Sequence, residues 1–316
     1  MSYKKSNENR KRSKNLKSVS TFLQRKHLIF SFIKGILRIP KKLDDIILIL
    51  RDIEYELSLS NSNNNQNINP FLKSESSRNS QNGEDGIIDY ILETFENLNI
   101  NFERNFLEIG VGNGDENNTT QLLLRKFKGI WIDANEKNCN YINNKYADYK
   151  ELLCINTLVE ENNLEDLKNQ ITNFLNSKNL TFLSVDIDSI DSLVVNYFSE
   201  ILKPLIIIVE INTAYSKSLY DFSKDPSFTN YDYSQGTTGY GASLESYKEI
   251  LSRNYQYVYT ERTGTNSFFI RNDKYEIIKD FIGSPIEKFS ASQRFHLGNH
   301  DPKSGHKYTP PTRKQI

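Results

Sequence analysis

The chain has 316 residues, of which 37% are apolar and 25% charged, and it carries no formal net charge. This composition permits a sizeable core, while the lack of any uninterrupted apolar run of about 18 residues argues against a membrane-spanning helix. The two cysteines, Cys139 and Cys154, form neither a disulfide framework nor a CxxC metal pattern, and no apolar signal segment opens the chain, so we expect a cytoplasmic protein.

Charge is distributed unevenly along the chain. Residues 1–42 contain thirteen Lys or Arg and one acidic residue, a formal +12, and the remainder carries −12. Residues 1–20 have almost no apolar side chains, so we predict a basic, disordered tail. Over residues 21–75 we predict a helical extension that is interrupted at Pro40 and ends in the Asn-rich linker NSNNNQNIN.

The first predicted helix of this extension is basic and amphipathic. It either lies on an anionic membrane surface or packs against the main domain or a partner helix, and the pattern leaves both interpretations open. The second helix contains LDDIILILRDIEYEL, which is too short to cross a bilayer and favours docking. Residues 1–60 are therefore the expected contact with a protein partner or with an anionic membrane surface, to which the protein would be peripheral.

Over residues 76–290, short β-type runs alternate with helical segments, which is typical of a doubly wound α/β domain. DGIIDYILETFENL and SLESYKEILSRN are two of the predicted helices. Only a short segment containing TGTN separates the last two β runs, too few residues for a parallel crossover, so they must form an antiparallel hairpin. The predicted strands are NFLEIG, GIWIDA, ELLCINT, TFLSVDID, LIIIVEIN, YQYVYTE and SFFIR.

A glycine-rich sequence ends the first predicted strand. It spells E-x-G-x-G-x-G with Glu108, Gly110, Gly112 and Gly114, and glycines there allow a tight turn and close approach to a ligand. A dinucleotide site needs its third glycine one residue later, where this chain has Asp115, whose carboxylate would repel a phosphate. An acidic residue two positions before the first glycine instead suits a ligand with a cationic amino group, such as S-adenosylmethionine.

Polar residues after the next two strands extend this predicted cofactor site. Asp133 ends the second strand, nineteen residues beyond Gly114, at about the spacing where an acid binds ribose hydroxyls in nucleotide-type α/β folds. Glu161 and Asn162 follow the third strand. They either meet the adenine edge or belong to a helix cap formed by Asn162 or Asn163, and the sequence does not choose between the two.

Seven motifs occur along the chain in the order SQNGEDGII, FLEIGVGNGDENNT, GIWIDANEKN, LSVDIDSIDSLVV, VEIN, GASLESYKEI and TNSFFIR. In these motifs the chain resembles the FkbM-like methyltransferases, in a bacterial branch associated with surface-polysaccharide genes, over roughly residues 79–272. The resemblance implies a class I methyltransferase fold, a Rossmann-like mixed sheet with a C-terminal antiparallel hairpin, and S-adenosylmethionine as cofactor. We assign Glu84 of the first motif to the same cofactor site. Where this branch usually has Gly and Asn, the chain has Ser189 and Ile190.

Four polar side chains are predicted to gather where the fourth and fifth strands end, because ligands of open α/β sheets bind outside the carboxyl ends of the strands. Two-residue spacing puts Asp186 and Asp188 on one face of their strand, and Glu210 and Asn212 on one face of the next. We predict that these four residues are catalytic. Asp186, Asp188 and Glu210 are suited to bind Mg²⁺ or Mn²⁺, and in the absence of a metal one carboxylate acts as general base. In the structural alternative, some of these side chains cap the next helices or hydrogen-bond to neighbouring loops.

The long Tyr- and Gly-rich segment 213–244 is predicted to be a substrate lid, with an unstructured insertion as the alternative. His296, His300 and His306 lie in a C-terminal tail, residues 291–316, which either supplies a base or stays exposed. The sequence favours an S-adenosylmethionine-dependent O-methyltransferase for a glycan or another small polar acceptor.

The alternative function is a non-catalytic scaffold or regulatory protein whose basic extension binds membrane or nucleic acid. Three motif glycines together with Glu108 and Asp133 argue against a decayed cofactor site. Methylation of nucleic acid is not favoured, because DIDSID lacks the Asn/Asp-Pro-Pro-aromatic motif that amino-methyltransferases show after the fourth strand.

Overall fold

The computed structural model describes residues 69–212, 215, 218–224, 240–261 and 263–283. The centre of this part of the chain is one β-sheet. Its strands are β1 (Asn105–Ile109), β2 (Lys128–Asp133), β3 (Leu152–Asn156), β4 (Phe182–Val185), β5 (Ile206–Glu210), β6 (Tyr255–Thr260) and β7 (Asn266–Arg271). Each strand lies within or overlaps one of the seven predicted β runs, so the strand predictions are confirmed.

The strands are ordered β3-β2-β1-β4-β5-β7-β6 across the sheet. Strands β1 to β5 pair in parallel, whereas β7 pairs antiparallel with both β5 and β6. The predicted hairpin and the predicted class I methyltransferase-like mixed sheet are therefore confirmed. The strands that follow β1 extend the sheet first to one side, through β2 and β3, and then to the other side, through β4 and β5. Ligands of such sheets bind at the carboxyl ends of the strands beside this switch point.

Helices cover both faces of the sheet. They are α1 (Pro70–Ser74), α2 (Glu84–Asn97), α3 (Thr120–Leu124), α4 (Glu136–Lys145), α5 (Leu164–Leu175), α6 (Asp191–Ile201), α7 (Leu244–Leu251) and α8 (Asn272–Ile282). Successive side chains of a strand point to opposite faces. On β1, Leu107 and Ile109 therefore join the core that α5, α6 and α7 complete, while Phe106 joins the core on the other face with α1, α2 and α8.

The packed domain begins before residue 76. Asn69 caps α1 by accepting a hydrogen bond from Phe71 N (2.8 Å), and the fully buried Phe71 ring lies 5.8 Å from the Tyr90 ring and 5.4 Å from the Tyr259 ring. Burying a Phe side chain contributes about 1.5–3 kcal/mol. Helix α1 thus packs with the α/β domain although it precedes the predicted boundary at residue 76, a contact that the sequence does not reveal because one Phe after an Asn-rich run forms no periodic pattern.

Several predictions fall on residues outside the described ranges. These are the basic tail, the helices of the extension, the middle of the segment 213–244, and the C-terminal tail with its three histidines. Both described ends of the segment 213–244 are fixed to each other, since Asp221 forms a β-bridge with Ala242 and Ser243 N donates to the Tyr220 carbonyl (2.8 Å). Across the described ranges, no helix has both the length and the apolar character needed to cross a bilayer.

Candidate functional site at the carboxyl ends of the strands

The glycine loop after β1 turns through the left-handed backbone region. Gly110 has φ +89° and Gly112 has φ +56°, backbone conformations that residues with a Cβ rarely adopt. A Cβ on Gly110 would lie 1.6 Å from the Asp186 carbonyl oxygen, so this glycine permits backbone contact between the loop and the end of β4. A Cβ on Gly112 would meet no atom within 4 Å. Gly112 therefore faces open space where a ligand can approach the backbone.

Gly114 completes the loop by packing inward. Its φ is +72°, and an added Cβ would lie 3.1 Å from the Trp131 ring and 3.2 Å from Ile142. Asp115, at the position of the third dinucleotide glycine, forms an ion pair with Lys145 at 2.5 Å on the surface. The loop thus offers its backbone at Gly112 and carries a carboxylate where a pyrophosphate would have to bind.

Glu108 organises the return of this loop toward α3. Its buried carboxylate accepts hydrogen bonds from the amides of Asn118 (2.8 Å) and Thr119 (3.0 Å), from Asn117 Nδ2 (3.0 Å) and from the Thr119 hydroxyl. Burial raises the pKa of Glu108 to about 7, although these four hydrogen bonds oppose the shift. Both oxygens are held by the loop, so the predicted cofactor residue Glu108 shapes the site and borders a small cavity.

Asp133 connects the end of β2 to the glycine loop. Its Oδ2 accepts a hydrogen bond from Gly112 N (2.8 Å), and its Oδ1 accepts from Asn135 N (2.8 Å) and Asn138 Nδ2 (3.1 Å). These contacts fix the carboxylate beside the open face of Gly112. The position is the one that the sequence spacing assigned to a ribose-binding acid.

A cavity of about 720 Å³ lies in front of these groups. Its lining includes Gly110, Gly112, Asp133, Asp186 and Asp188, which brings three of the predicted cofactor residues and two predicted catalytic residues to one site. Another cavity of about 400 Å³ lies at the opposite end of the sheet, where β7 ends and β6 begins, and it contains none of the predicted residues. The position at the carboxyl ends of the strands favours the larger cavity as the functional site.

Glu161 and Asn162 border an adjoining cavity of about 570 Å³, which shares Leu158 and Val159 with the larger one. They lie in a short 3₁₀ turn, Glu161–Asn163. The cap of this turn is formed by Glu160 and Asn163, and Asn163 Oδ1 accepts from Glu160 N (3.0 Å). Asn163, one of the two predicted cap residues, thus takes part in the cap of this turn and precedes α5 without a side-chain cap hydrogen bond to that helix, and both Glu161 and Asn162 are exposed beside the cavity.

The predicted carboxylates of β4 and β5 come together. Ligand oxygens of Asp186, Asp188 and Glu210 all lie within 4.8 Å of one another, and the carboxyl groups of Asp186 and Glu210 share a hydrogen bond. Burial, together with the negative charge of Asp188, raises the pKa of Asp186 to about 8. Burial and the adjacent Asp186 raise the pKa of Glu210. The cluster therefore favours a bound proton or cation over three free negative charges.

Asn212, which follows β5, is hydrogen-bonded to the returning end of the segment 213–244. Its Nδ2 donates to the Tyr240 carbonyl (2.8 Å), and its backbone amide donates to the Ala242 carbonyl (2.8 Å). Asn212 thus anchors the returning end of the segment 213–244. Alternation along a strand fixes which face a side chain occupies, but it does not reveal a loop that returns to the same place from thirty residues away.

Asp191 is a site residue that the sequence analysis missed. Its buried carboxylate accepts hydrogen bonds from Ile187 N (2.8 Å) and Ser189 N (2.7 Å), and burial raises its pKa to about 6. These bonds shape the turn in which Asp188 takes a left-handed φ of +54°. Asp is among the residues that tolerate this region, and an Asp that opens a helix is a recognisable capping signal.

Glu84 lies behind the site and does not line either cavity at the glycine loop. It opens α2 with no exposed surface, and its Oε2 accepts from Asn82 N (2.9 Å) while its Oε1 accepts from Asn266 Nδ2 (2.6 Å). The next residue, Asp85, binds the amides of Arg78, Asn79 and Ser80 through Oδ2. The side chain of Glu84 is therefore enclosed by protein groups, and its assignment to the cofactor site stays a prediction.

No protein-family model matches the chain, and no curated protein matches it. Similar solved structures include an O-methyltransferase from Bacillus cereus in complex with S-adenosylhomocysteine, at 16% identity over 68% of this chain and 86% of that one, with a TM-score of 0.36. The O-methyltransferase TomG from Streptomyces achromogenes, in complex with S-adenosylmethionine, is 12% identical over 61% and 82%, with a TM-score of 0.38. At these values the likeness concerns the fold alone.

Proposed function

We propose that this protein is an S-adenosylmethionine-dependent methyltransferase that transfers the methyl group to a hydroxyl of a glycan or another small polar acceptor. The observation that carries the proposal is the bond between Asp133 and Gly112 N at the edge of the large cavity. This hydrogen bond places a carboxylate of the kind that binds ribose hydroxyls next to an exposed stretch of glycine backbone. The surface carboxylate of Asp115 further favours a nucleoside ligand without a pyrophosphate over a dinucleotide.

Asp133→Ala is expected to weaken the binding of S-adenosylhomocysteine by about 1–3 kcal/mol, because ligand hydroxyls lose a charged acceptor. Calorimetric titration of the full chain measures this loss, and a parallel titration with NAD tests the dinucleotide alternative. Asp148→Ala provides the control, since Asp148 is exposed and lies on neither cavity lining. A folded Asp133→Ala variant that binds like wild type would remove Asp133 from the site, and binding of NAD alone would overturn the proposed function.

The carboxylate cluster is proposed to activate the acceptor. During transfer, the acceptor oxygen bonds to the methyl carbon as the carbon–sulfur bond breaks, and the electron pair of that bond stays on sulfur. The hydroxyl proton passes to a carboxylate. Asp188 is the proposed base, because it is half-buried and borders the large cavity, whereas the carboxyl groups of Asp186 and Glu210 are hydrogen-bonded to each other.

A divalent cation also fits this cluster. Asp186, Asp188 and Glu210 present hard oxygen ligands within 4.8 Å of one another, the donor type that Mg²⁺ and Mn²⁺ take in proteins. A cation held there would supply Lewis-acid polarisation of the acceptor oxygen. In the general-base version, Asp188 takes the proton directly and the neighbouring carboxyls keep it in place.

Treatment with EDTA distinguishes the two versions. With Asp188 acting as base, we expect unchanged turnover after chelation and dialysis, measured as S-adenosylhomocysteine formed with the best acceptor from a panel of hydroxylated sugars. Turnover that disappears on chelation and returns with Mg²⁺ or Mn²⁺ would replace the general-base version with the metal version. The affinity for S-adenosylhomocysteine, measured in the same samples, controls for damage to the cofactor site.

A further inference from the structure

A small cavity of about 170 Å³ lies beside the glycine loop, and its lining includes Gly110, Gly112 and Asp186, which also line the large cavity. Its other polar groups include Glu108 and, from the far side, Asn266 at the start of β7. No Lys, Arg or His borders it among the described residues. The lining is thus rich in hydrogen-bond acceptors and suits a small group that donates.

Asn266 presents an unsatisfied acceptor at this place. The residue is 5% exposed, and its Oδ1 is buried with no hydrogen-bond partner among the described residues. A buried amide oxygen without a partner costs about 1–3 kcal/mol, so native proteins leave few of them. This oxygen belongs to a side chain that borders an acceptor-rich cavity, which points to a donor on a ligand.

The orientation of the Asn266 amide is fixed from behind. Its Nδ2 donates to Glu84 Oε1 (2.6 Å), and its backbone amide donates to Glu261 Oε1 (3.0 Å). Glu84 is held in turn by Asn82 N (2.9 Å). Both carboxyl oxygens of Glu84 thus act as acceptors, an arrangement that requires the NH₂ group of Asn266 to face Glu84 and its oxygen to face away.

We propose that Asn266 Oδ1 accepts a hydrogen bond from the α-ammonium group of the methionyl part of S-adenosylmethionine, with Glu84 as the residue that positions Asn266. This inference rests on the proposed function and adds a residue of β7 to its cofactor site. It gives Asn266 a role in specificity, because ligands without the amino acid part would gain nothing from this oxygen.

Two ligands distinguish a contact between Asn266 and the α-ammonium group from a general effect of Asn266 on the cofactor site. S-adenosylhomocysteine carries the α-ammonium group, whereas 5′-methylthioadenosine shares the nucleoside and the sulfur but lacks the amino acid part. In calorimetric titration of the full chain, Asn266→Ala is expected to weaken the binding of S-adenosylhomocysteine about 10- to 150-fold, the effect of one hydrogen bond to a charged group, and to change the binding of methylthioadenosine less than about 2-fold. Asn272→Ala, an exposed Asn just beyond the other end of β7, is the control and should change neither.

Variants of Glu84 test the positioning role and keep the side-chain size. In Glu84→Gln the side chain has one acceptor oxygen for two donors, Asn82 N and Asn266 Nδ2. Asn266 must therefore rotate its amide to keep its hydrogen bond to position 84, and it then presents its NH₂ group to the cavity. We expect the same selective loss of S-adenosylhomocysteine affinity. In the double variant Glu84→Gln with Asn266→Asp, the amide and the carboxylate exchange places across the contact, which again gives the cavity an oxygen. Its affinity for S-adenosylhomocysteine should return to within about 3-fold of wild type.

Equal weakening of both ligands in Asn266→Ala would overturn the inference and leave the proposed function intact, since Asn266 would then only support the fold. An unchanged affinity for S-adenosylhomocysteine would overturn it in the same way. If wild type binds neither ligand, the proposed function itself fails. Should Asn266→Ala not fold, the ligand ratio of Glu84→Gln and its recovery in the double variant decide the question.

Discussion

Gly110→Ala is expected to lower the free energy of unfolding by about 3 kcal/mol or more, whereas Gly112→Ala should lower it by only about 1 kcal/mol. A methyl group on Gly110 would lie 1.6 Å from the Asp186 carbonyl oxygen, in a backbone with φ +89°, so the loop or β4 must shift. At Gly112 the methyl group meets no protein atom within 4 Å, and only the conformational cost of φ +56° remains.

Ligand binding should be sensitive to Gly112→Ala although this variant is only mildly destabilised. The methyl group of Gly112→Ala would project into the space beside Asp133, and we expect it to weaken S-adenosylhomocysteine at least about 10-fold, because the ligand can no longer approach the backbone. Urea unfolding and calorimetry on the same samples give both quantities. Wild-type affinity in Gly112→Ala would mean that the ligand does not contact the loop, and equal destabilisation by both variants would contradict the backbone contact at Gly110.

Asp188→Asn is expected to lower kcat about 100-fold or more while the dissociation constant of S-adenosylhomocysteine changes less than about 3-fold. The substitution removes the negative charge and keeps the shape, and Asn tolerates the φ of +54° that Asp188 adopts. Turnover is measured with the sugar panel described above. Asp148→Asn, the same chemical change at an exposed position off the cavity lining, controls for the substitution itself.

Asp186→Asn tests the rest of the cluster. Asp186 is hydrogen-bonded to Glu210, and an amide there removes one of three clustered charges, so turnover should fall in this variant as well. Full activity in both Asp186→Asn and Asp188→Asn would defeat the proposal for the cluster. The base would then have to come from the segment 213–244 or from the C-terminal tail with its histidines.

Much of the fold follows from local patterns. The seven strands and the antiparallel pairing of β6 with β7 follow from short apolar runs and from the length of the segment between those two strands. The gathering of Asp186, Asp188 and Glu210 followed from a topological rule for open sheets. Such features depend on nearest neighbours in the chain or on general properties of α/β folds.

The remaining features depend on contacts between distant parts of the chain. Glu84 meets Asn266 across 182 residues, and the buried ring of Phe71 meets Tyr259 near the other end of the domain. Asn212 is directed to Tyr240 by a loop whose path no periodicity encodes. Each of these contacts joins one group to another when several groups of similar chemistry are present in the chain, so composition and spacing alone do not choose between the partners.

The backbone contact between Gly110 and Asp186 has a consequence for how this site can change over evolution. Gly110 N donates to the Ile132 carbonyl (2.8 Å), and Asp186 N donates to the Ile109 carbonyl (3.0 Å), so main-chain atoms of β2, β1 and β4 are joined in one row. The spacing between the glycine loop and the carboxylates is therefore set by main-chain atoms, and it should tolerate side-chain substitution at positions other than Gly110. Residues around Leu158 and Glu161 lie outside this row, so drift or selection can change them without disturbing that spacing.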